Sequence, residues 1–198
     1  MSEPEAQNVF TAEEERELVR LLRKVEASGS YWPSEESFRA AHSVMPHWAP
    51  ELVITRIGDE GVLEILLARY DGGIEEFRDL WHIPGGYGNV RDRVGVSADE
   101  VGWDVGTLKN TVLRVGNREV KVPLLVLNHL GMFWWRRREG IELQSEEHPY
   151  GYPLSIYLDC LPEEDVVEDE NLRYFRVDQL PEDMVEPHRR FVQGHFVT

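Results

Sequence analysis

Two stretches hold residue types at spacings that can do chemistry. In the first, Trp81-His-Ile-Pro-Gly-Gly86 places two glycines directly after a strand-like run. Glycine adopts backbone conformations that other residues avoid, so a ligand or cation can approach the main chain there. As a bare turn, Pro-Gly-Gly has an ordinary structural explanation as well. In the second stretch, a helix is predicted from Thr107 to Val120, with Leu108, Val112 and Val115 on one face. At 100° per residue, Glu119 falls about 20° from Leu108 and points inward from the last turn. A carboxylate on a packed face needs a partner, and a metal ion or an arginine is the usual one.

Further candidates lie around these two stretches. Arg114 and Arg118 are candidates to grip phosphate oxygens by bidentate hydrogen bonding; the alternative is a pair of solvated helix arginines. Trp134 and Trp135 are candidates to stack on a base or sugar, against a core or interface role. His148, close to Glu146 and Glu147 and followed by proline, is a candidate acid or base, against a plain loop residue.

The elements that must position these groups can be read in outline. Thr11 and Glu14 have capping-box spacing before a helix with Leu18, Leu21, Leu22 and Val25 in register, ending near Gly29. A weaker helix is predicted from Ser34 to about Ser43, ended by Pro46 and Pro50. Strand-like texture begins at Glu51. Leu52–Ile57 and Val62–Ala68 flank a Gly-Asp-Glu-Gly turn and predict a hairpin, followed by a bend at Asp71-Gly-Gly73. Pro123–Leu127, Leu154–Cys160 and Leu172–Val177 have strand composition, and Leu180–Phe196 is a candidate closing helix. Mixed strands with few helices give an α/β or α+β fold. The division expected is an N-terminal helical extension over 1–46 and a main domain over 51–198.

Composition bounds the partners. A chain of 198 residues, 41% of them hydrophobic, can bury one core of ordinary size plus an extension. The formal net charge of −16 opposes long nucleic acid, whose binding depends on basic residues displacing counterions. A small anionic ligand is still compatible with it, because arginines or a bound cation invert the sign inside one cleft. Cys160 is the only cysteine and sits in a hydrophobic run, so it is expected to be a buried strand thiol. No apolar run is long enough to span a bilayer and the N-terminus is polar, which predicts a cytoplasmic protein with no membrane partner.

With these residues in view, the chain resembles the Nudix hydrolase superfamily. Trp81–Gly86, Thr107-Leu108, Arg114 and Arg118-Glu119-Val120 look like a divergent Nudix box, with Leu130-Gly131, His148–Ser155 and Leu180-Pro181 following in order. The likeness covers about residues 51–195. The family pattern runs Gly, five residues, Glu, seven residues, Arg-Glu, two residues, Glu-Glu, one residue, Gly. With Arg114 on the pattern's arginine, the paired acids fall on Arg118 and Glu119 and the final glycine falls on Lys121; the acid after the arginine is Val115 and the loop acid is Gly106. One helix carboxylate survives, and an insertion carrying Asp92, Asp99, Glu100 and Asp104 separates Gly86 from Thr107. A rival register on Asp99–Gly106 imitates the ending of the box but leaves the Leu108–Val120 helix unexplained.

The resemblance implies a mixed β-sheet sandwiched between helices, and a metal-dependent hydrolase of a nucleoside diphosphate joined to another moiety. It is similar in pattern to the sugar-nucleotide branch, which keeps the last helix acid and takes further ligands from a later loop. The matching loop is Glu163–Glu170. This implies Mg²⁺ or Mn²⁺ held by Glu119, the Gly86 carbonyl and Glu168 or Glu170, with Asp169 and then His148 as candidate base and Arg114 assisting. The alternative is a Nudix-fold nucleotide-binding or regulatory module that no longer cleaves, motivated by Val115, Arg118 and Lys121. A third reading is a structural protein, self-associating as a homodimer through its N-terminal helices.

Overall fold

The structure is a computed structural model and describes residues 11–28, 35–42, 47–72, 74–88, 92, 105–137, 147–148 and 153–197. Of the rival register on Asp99–Gly106, residues 99–104 lie outside the described residues. Helix α1 (Ala12–Ser28) starts where the capping box predicts. The Thr11 amide donates to Glu14 Oε2 at 2.7 Å and the Glu14 amide to Thr11 Oγ1 at 3.3 Å. Helix α2 (Glu35–His42) follows. The α1 residues Leu18, Leu21 and Leu22 are exposed, so the main core does not depend on them. No helix among the described residues is long and apolar enough to cross a membrane.

Among the described residues from His47 onward there are nine strands and two α-helices. Strand β1 (His47–Val53) runs parallel to β8 (Pro153–Pro162), and β8 pairs antiparallel with β5 (Leu124–Trp134), giving the order β1-β8-β5. A one-residue break at Ile54 separates β1 from β2 (Thr55–Ile57), which makes the expected hairpin with β3 (Leu63–Arg69). Strand β9 (Leu172–Arg176) lies along one edge of β3, and β2 with β4 (Trp81–His82) along the other. Strands β6 (Arg136–Arg137) and β7 (Glu147–His148) form a minimal parallel pair.

Alternation along the strands divides the core into two faces. Leu52 of β1 and Leu66 and Ala68 of β3 pack with Val112 and Val115 of helix α3 (Val105–Glu119). Their neighbours Val53, Ile65 and Leu67 pack instead with Val192 of helix α4 (Glu186–Phe196). On that second face the Phe191 ring lies parallel to Tyr157 at 3.7 Å. The sheets therefore sit between α3 and α4, an α+β fold of the class expected. Each of these fully buried aliphatic side chains contributes roughly 1.5–3 kcal/mol, so the seating of α3 is set by packing and not by its modest helix propensity.

Three boundaries differ from the sequence expectation. Strand β1 starts at His47 and runs through Pro50, because its carbonyls pair with the 84–88 segment while β8 holds its other edge. Strand β5 runs on to Trp134 and carries Leu130-Gly131 inside it, with register shifts between Val126 and Asn128 and between His129 and Gly131. Helix α4 begins only at Glu186, because residues 183–185 are tied to Trp81 by backbone hydrogen bonds of 2.8 and 2.9 Å. Cys160 is buried as expected, and burial pushes its thiol up to about 12.

Candidate functional site

The end of α3 meets the Pro84-Gly85-Gly86 loop. The amide of Leu52 donates to Pro84 O at 2.7 Å and the amide of Gly86 to Pro50 O at 3.3 Å, around a bridge between Glu51 and Gly85. In such an antiparallel ladder residue 50 also donates to the carbonyl opposite it. Residue 50 is proline and has no N–H, so the Gly86 carbonyl is left without that ladder donor. Crowding requires a glycine at 85, where a Cβ would run into the buried Glu51 carboxylate and stand 3.0 Å from Pro50 O, whereas a Cβ on Gly86 would be crowded only by the exposed Arg118 guanidinium, 2.9 Å away, which can move aside.

Helix α3 ends with the amides of Val120 and Lys121 both donating to Gly116 O, at 2.8 and 2.9 Å. Lys121 has φ 66°, the left-handed conformation that glycine adopts without steric penalty. This is the position onto which the family pattern places its final glycine.

Glu119 faces inward, as its angular position required, with its side chain 11% exposed. Burial raises its pKa, the adjacent Arg118 opposes that rise, and the carboxylates of Asp71 and Glu51 add to it. Its partner is an arginine. Arg118 donates through its terminal NH2 to Glu119 Oε1 and, at 3.2 Å, to the carbonyl of Gly85. On the other side His82 Nε2 lies 3.5 Å from Glu119 Oε2. Burial first, then His188 and Arg118, hold His82 down to about 3, so the ring is neutral near pH 7 and no ion pair exists there.

Behind this corner lies a buried polar network that sequence reasoning missed. Trp135 Nε1 donates to Ser155 Oγ at 2.9 Å, and Ser155 Oγ donates to Glu51 Oε1 at 2.7 Å. The amide of Ile83 donates to His188 Nδ1 at 3.0 Å, which puts the neutral ring's proton on Nε2, 3.7 Å from Glu51 Oε1. Glu51, His82, Ser155 and His188 come from β1, β4, β8 and α4, and all are buried. The available signal was a charged residue beside Pro50 at the head of an apolar run, and it resembled a strand boundary.

The other expected site residues are distributed as follows. Arg114 makes a bidentate pair with Asp92, Nε to Oδ1 and NH2 to Oδ2 both at 2.8 Å, and also donates to Tyr87 O at 2.7 Å. In this conformation its bidentate geometry grips the Asp92 carboxylate. Trp135 is buried as well, so the stacking role expected of it is replaced by core packing and the bond to Ser155. Trp134 is exposed on β5.

His148 lies 2% exposed in β7, with Nε2 3.0 Å from the Tyr87 hydroxyl. Burial, helped by His47, lowers it to about 3, so it is neutral near pH 7 and closed to solvent rather than placed as an acid or base on a loop. Glu168 bonds Arg56 at 2.9 Å and accepts from the Tyr174 amide at 3.0 Å. Asp169 pairs with Lys121 Nζ at 3.0 Å and accepts from the Asn171 amide at 2.8 Å, and Lys121 heads the causes that lower its pKa. Glu170 is exposed. The Lys121–Asp169 pair ties the acidic loop to the end of α3, two residues beyond Glu119. Among the described residues, no three His, Cys, Asp or Glu side chains converge into a metal-holding group in this conformation.

No protein-family model matches the chain, and no match is found among curated proteins. Solved structures to which it is similar include NrtR of Shewanella oneidensis, at 16% identity and TM-score 0.48 over 74% of this chain and 60% of that one. The chain thus spans less than two thirds of that protein's length. The Nudix domain of the same NrtR, complexed with ADP ribose, matches at 17% identity and TM-score 0.46, covering 81% of this chain and 95% of that one. An Ap4A hydrolase of C. elegans matches at 18% identity and TM-score 0.42, covering 68% and 83%. Likenesses this distant assign no activity.

Proposed function

We propose that the chain is a Nudix-type hydrolase that takes a nucleoside diphosphate joined to another moiety, a sugar among the candidates, at the corner between the end of α3 and the Pro84–Gly86 loop. The observation that carries this is the left-handed residue at Lys121, φ 66°, two positions after the buried Glu119. It supports the register in which Glu119 is the surviving box acid. A resemblance in residue types alone would not require this backbone shape.

The donors at this corner suit Mg²⁺ or Mn²⁺ in chemistry, since both are hard cations that take oxygen ligands. The Gly86 carbonyl lacks its ladder donor opposite Pro50, and Glu119 is a buried carboxylate whose raised pKa a cation would bring down. Glu119 and the Gly86 carbonyl would hold the ion, with Glu168 or Glu170 as the acids available from the loop that Asp169 ties to Lys121. Once bound, such an ion polarises phosphate oxygens and lowers the pKa of water. The protein's own part is to orient Glu119 by the packed α3 and to keep His82 neutral against it. The Glu51–Ser155–Trp135 network holds β1 and β8 in place behind the loop.

The ion pair between Arg118 and Glu119 favours a second reading, a binding module that recognises the nucleotide without metal or cleavage. Thermal stability against nucleoside diphosphates and sugar nucleotides, with and without Mg²⁺ or Mn²⁺, separates the two. The hydrolase requires stabilisation that depends on metal and is lost in Glu119→Gln. Stabilisation that is independent of metal supports the binding module.

A further inference from the structure

We infer that Arg118 is a built-in competitor for the divalent cation, occupying the place between the Gly85 carbonyl and Glu119 and leaving it when the ion enters. The inference rests on the metal-dependent reading above. One guanidinium nitrogen donates both to Glu119 Oε1 and to Gly85 O at 3.2 Å, and Nε reaches the same carboxylate oxygen at 3.2 Å. A main-chain carbonyl of the glycine loop and the one remaining box acid are thereby joined by a positive charge supplied by the chain itself. That charge satisfies the buried carboxylate, so the corner is stable without an ion.

An ion and a guanidinium cannot share this position, because Arg118 already takes up Glu119 Oε1 and like charges repel at contact distance. Arg118 can leave at little cost to the fold. Its side chain is 58% exposed, whereas that of Glu119 is 11% exposed and anchored to a packed helix end. Displacement also frees a fork of donors beside the site, suited to a diphosphate. Arg118 thus weakens metal binding, and the chain binds the ion tightly only when Arg118 has somewhere else to go, which a bound diphosphate provides. Metal and diphosphate should therefore bind with positive coupling, each improving the other's affinity by the same factor.

The test is calorimetric titration of Mn²⁺ into the metal-free full chain, with free Mn²⁺ followed by electron paramagnetic resonance, for wild type, Arg118→Ala, Arg118→Lys and Arg118→Ala/Glu119→Gln. Thermal melts without metal confirm that each variant folds. Arg118→Ala should bind Mn²⁺ at least tenfold more tightly than wild type, Arg118→Lys should stay within threefold of wild type, and the double variant should lose the gain. Glu119-dependent Mn²⁺ binding that Arg118→Ala leaves within twofold of wild type overturns the inference and leaves the metal reading standing. No Mn²⁺ binding by wild type or Arg118→Ala at millimolar concentration overturns both.

Discussion

Acidification from pH 8 to pH 5.5 should destabilise this protein by an amount that two buried histidines largely set. His82 and His148 are each held down to about 3, chiefly by burial. An unfolded histidine titrates near 6.5. The unfolded chain therefore binds protons that the folded chain refuses, and stability that is complete above pH 6.5 is lost as pH falls toward 3. At pH 5.5 the loss is RT ln 11, about 1.4 kcal/mol for each ring and about 2.8 kcal/mol for the pair. Burial also depresses His47 and adds a loss of the same sign. Glu119 acts the other way: its raised pKa makes its contribution fullest at low pH and smaller as pH rises through the folded value. Ordinary carboxylates barely titrate in this window, which isolates the histidines. Urea unfolding at pH 8 and pH 5.5 gives the difference directly. His148→Gln should remove about 1.4 kcal/mol of it, whatever the absolute stability of the variant. Wild-type stability changing by less than ~0.5 kcal/mol across the window, less than half of one ring's share, would refute the burial of both rings.

Three further outcomes follow from the geometry. Lys121→Gly should be neutral or stabilising by up to about 1 kcal/mol, since a side chain in the left-handed conformation costs that much, whereas Lys121→Val should destabilise; chemical denaturation checks both. Asp92→Asn should cost about 2 kcal/mol, discounted from the roughly 3–5 kcal/mol of a wholly buried pair because the Arg114 side chain is 34% exposed. Ser155→Ala leaves Trp135 Nε1 without its hydrogen-bond acceptor and Glu51 without its donor, and should cost about 1–3 kcal/mol in the same assay.

The helices and most strands were legible because periodicity reports local burial directly. Leu108, Val112, Val115 and the inward Glu119 follow from the 3.6-residue repeat, and the capping box at Thr11 from four residues. What was not legible depended on chain segments meeting from far apart. Glu51, Ser155 and His188 are ordinary in sequence, and only the parallel pairing of β1 with β8 and the docking of α4 bring them together. Arg114 looked free because its partner Asp92 is 22 residues away in the chain and no local pattern links the two. His148 read as a loop residue because two-residue strands such as β7 carry no periodicity. The partner of Glu119 was foreseeable as a metal or an arginine, and the choice of Arg118 depended on side-chain geometry at the end of α3.

The central claim, that the α3–Gly86 corner cleaves a diphosphate linkage with Glu119 as its essential acid, is tested most directly by product analysis. A panel of nucleoside diphosphates joined to sugars and other groups would be incubated with wild type and Glu119→Gln, with Mg²⁺ or Mn²⁺ and with chelator, and followed by ³¹P NMR. At least one compound should be split at or beside its diphosphate by wild type with metal. That product should be absent with chelator and in Glu119→Gln. Cleavage that persists in Glu119→Gln, or tight binding of a compound with no product under any metal condition, would contradict the claim.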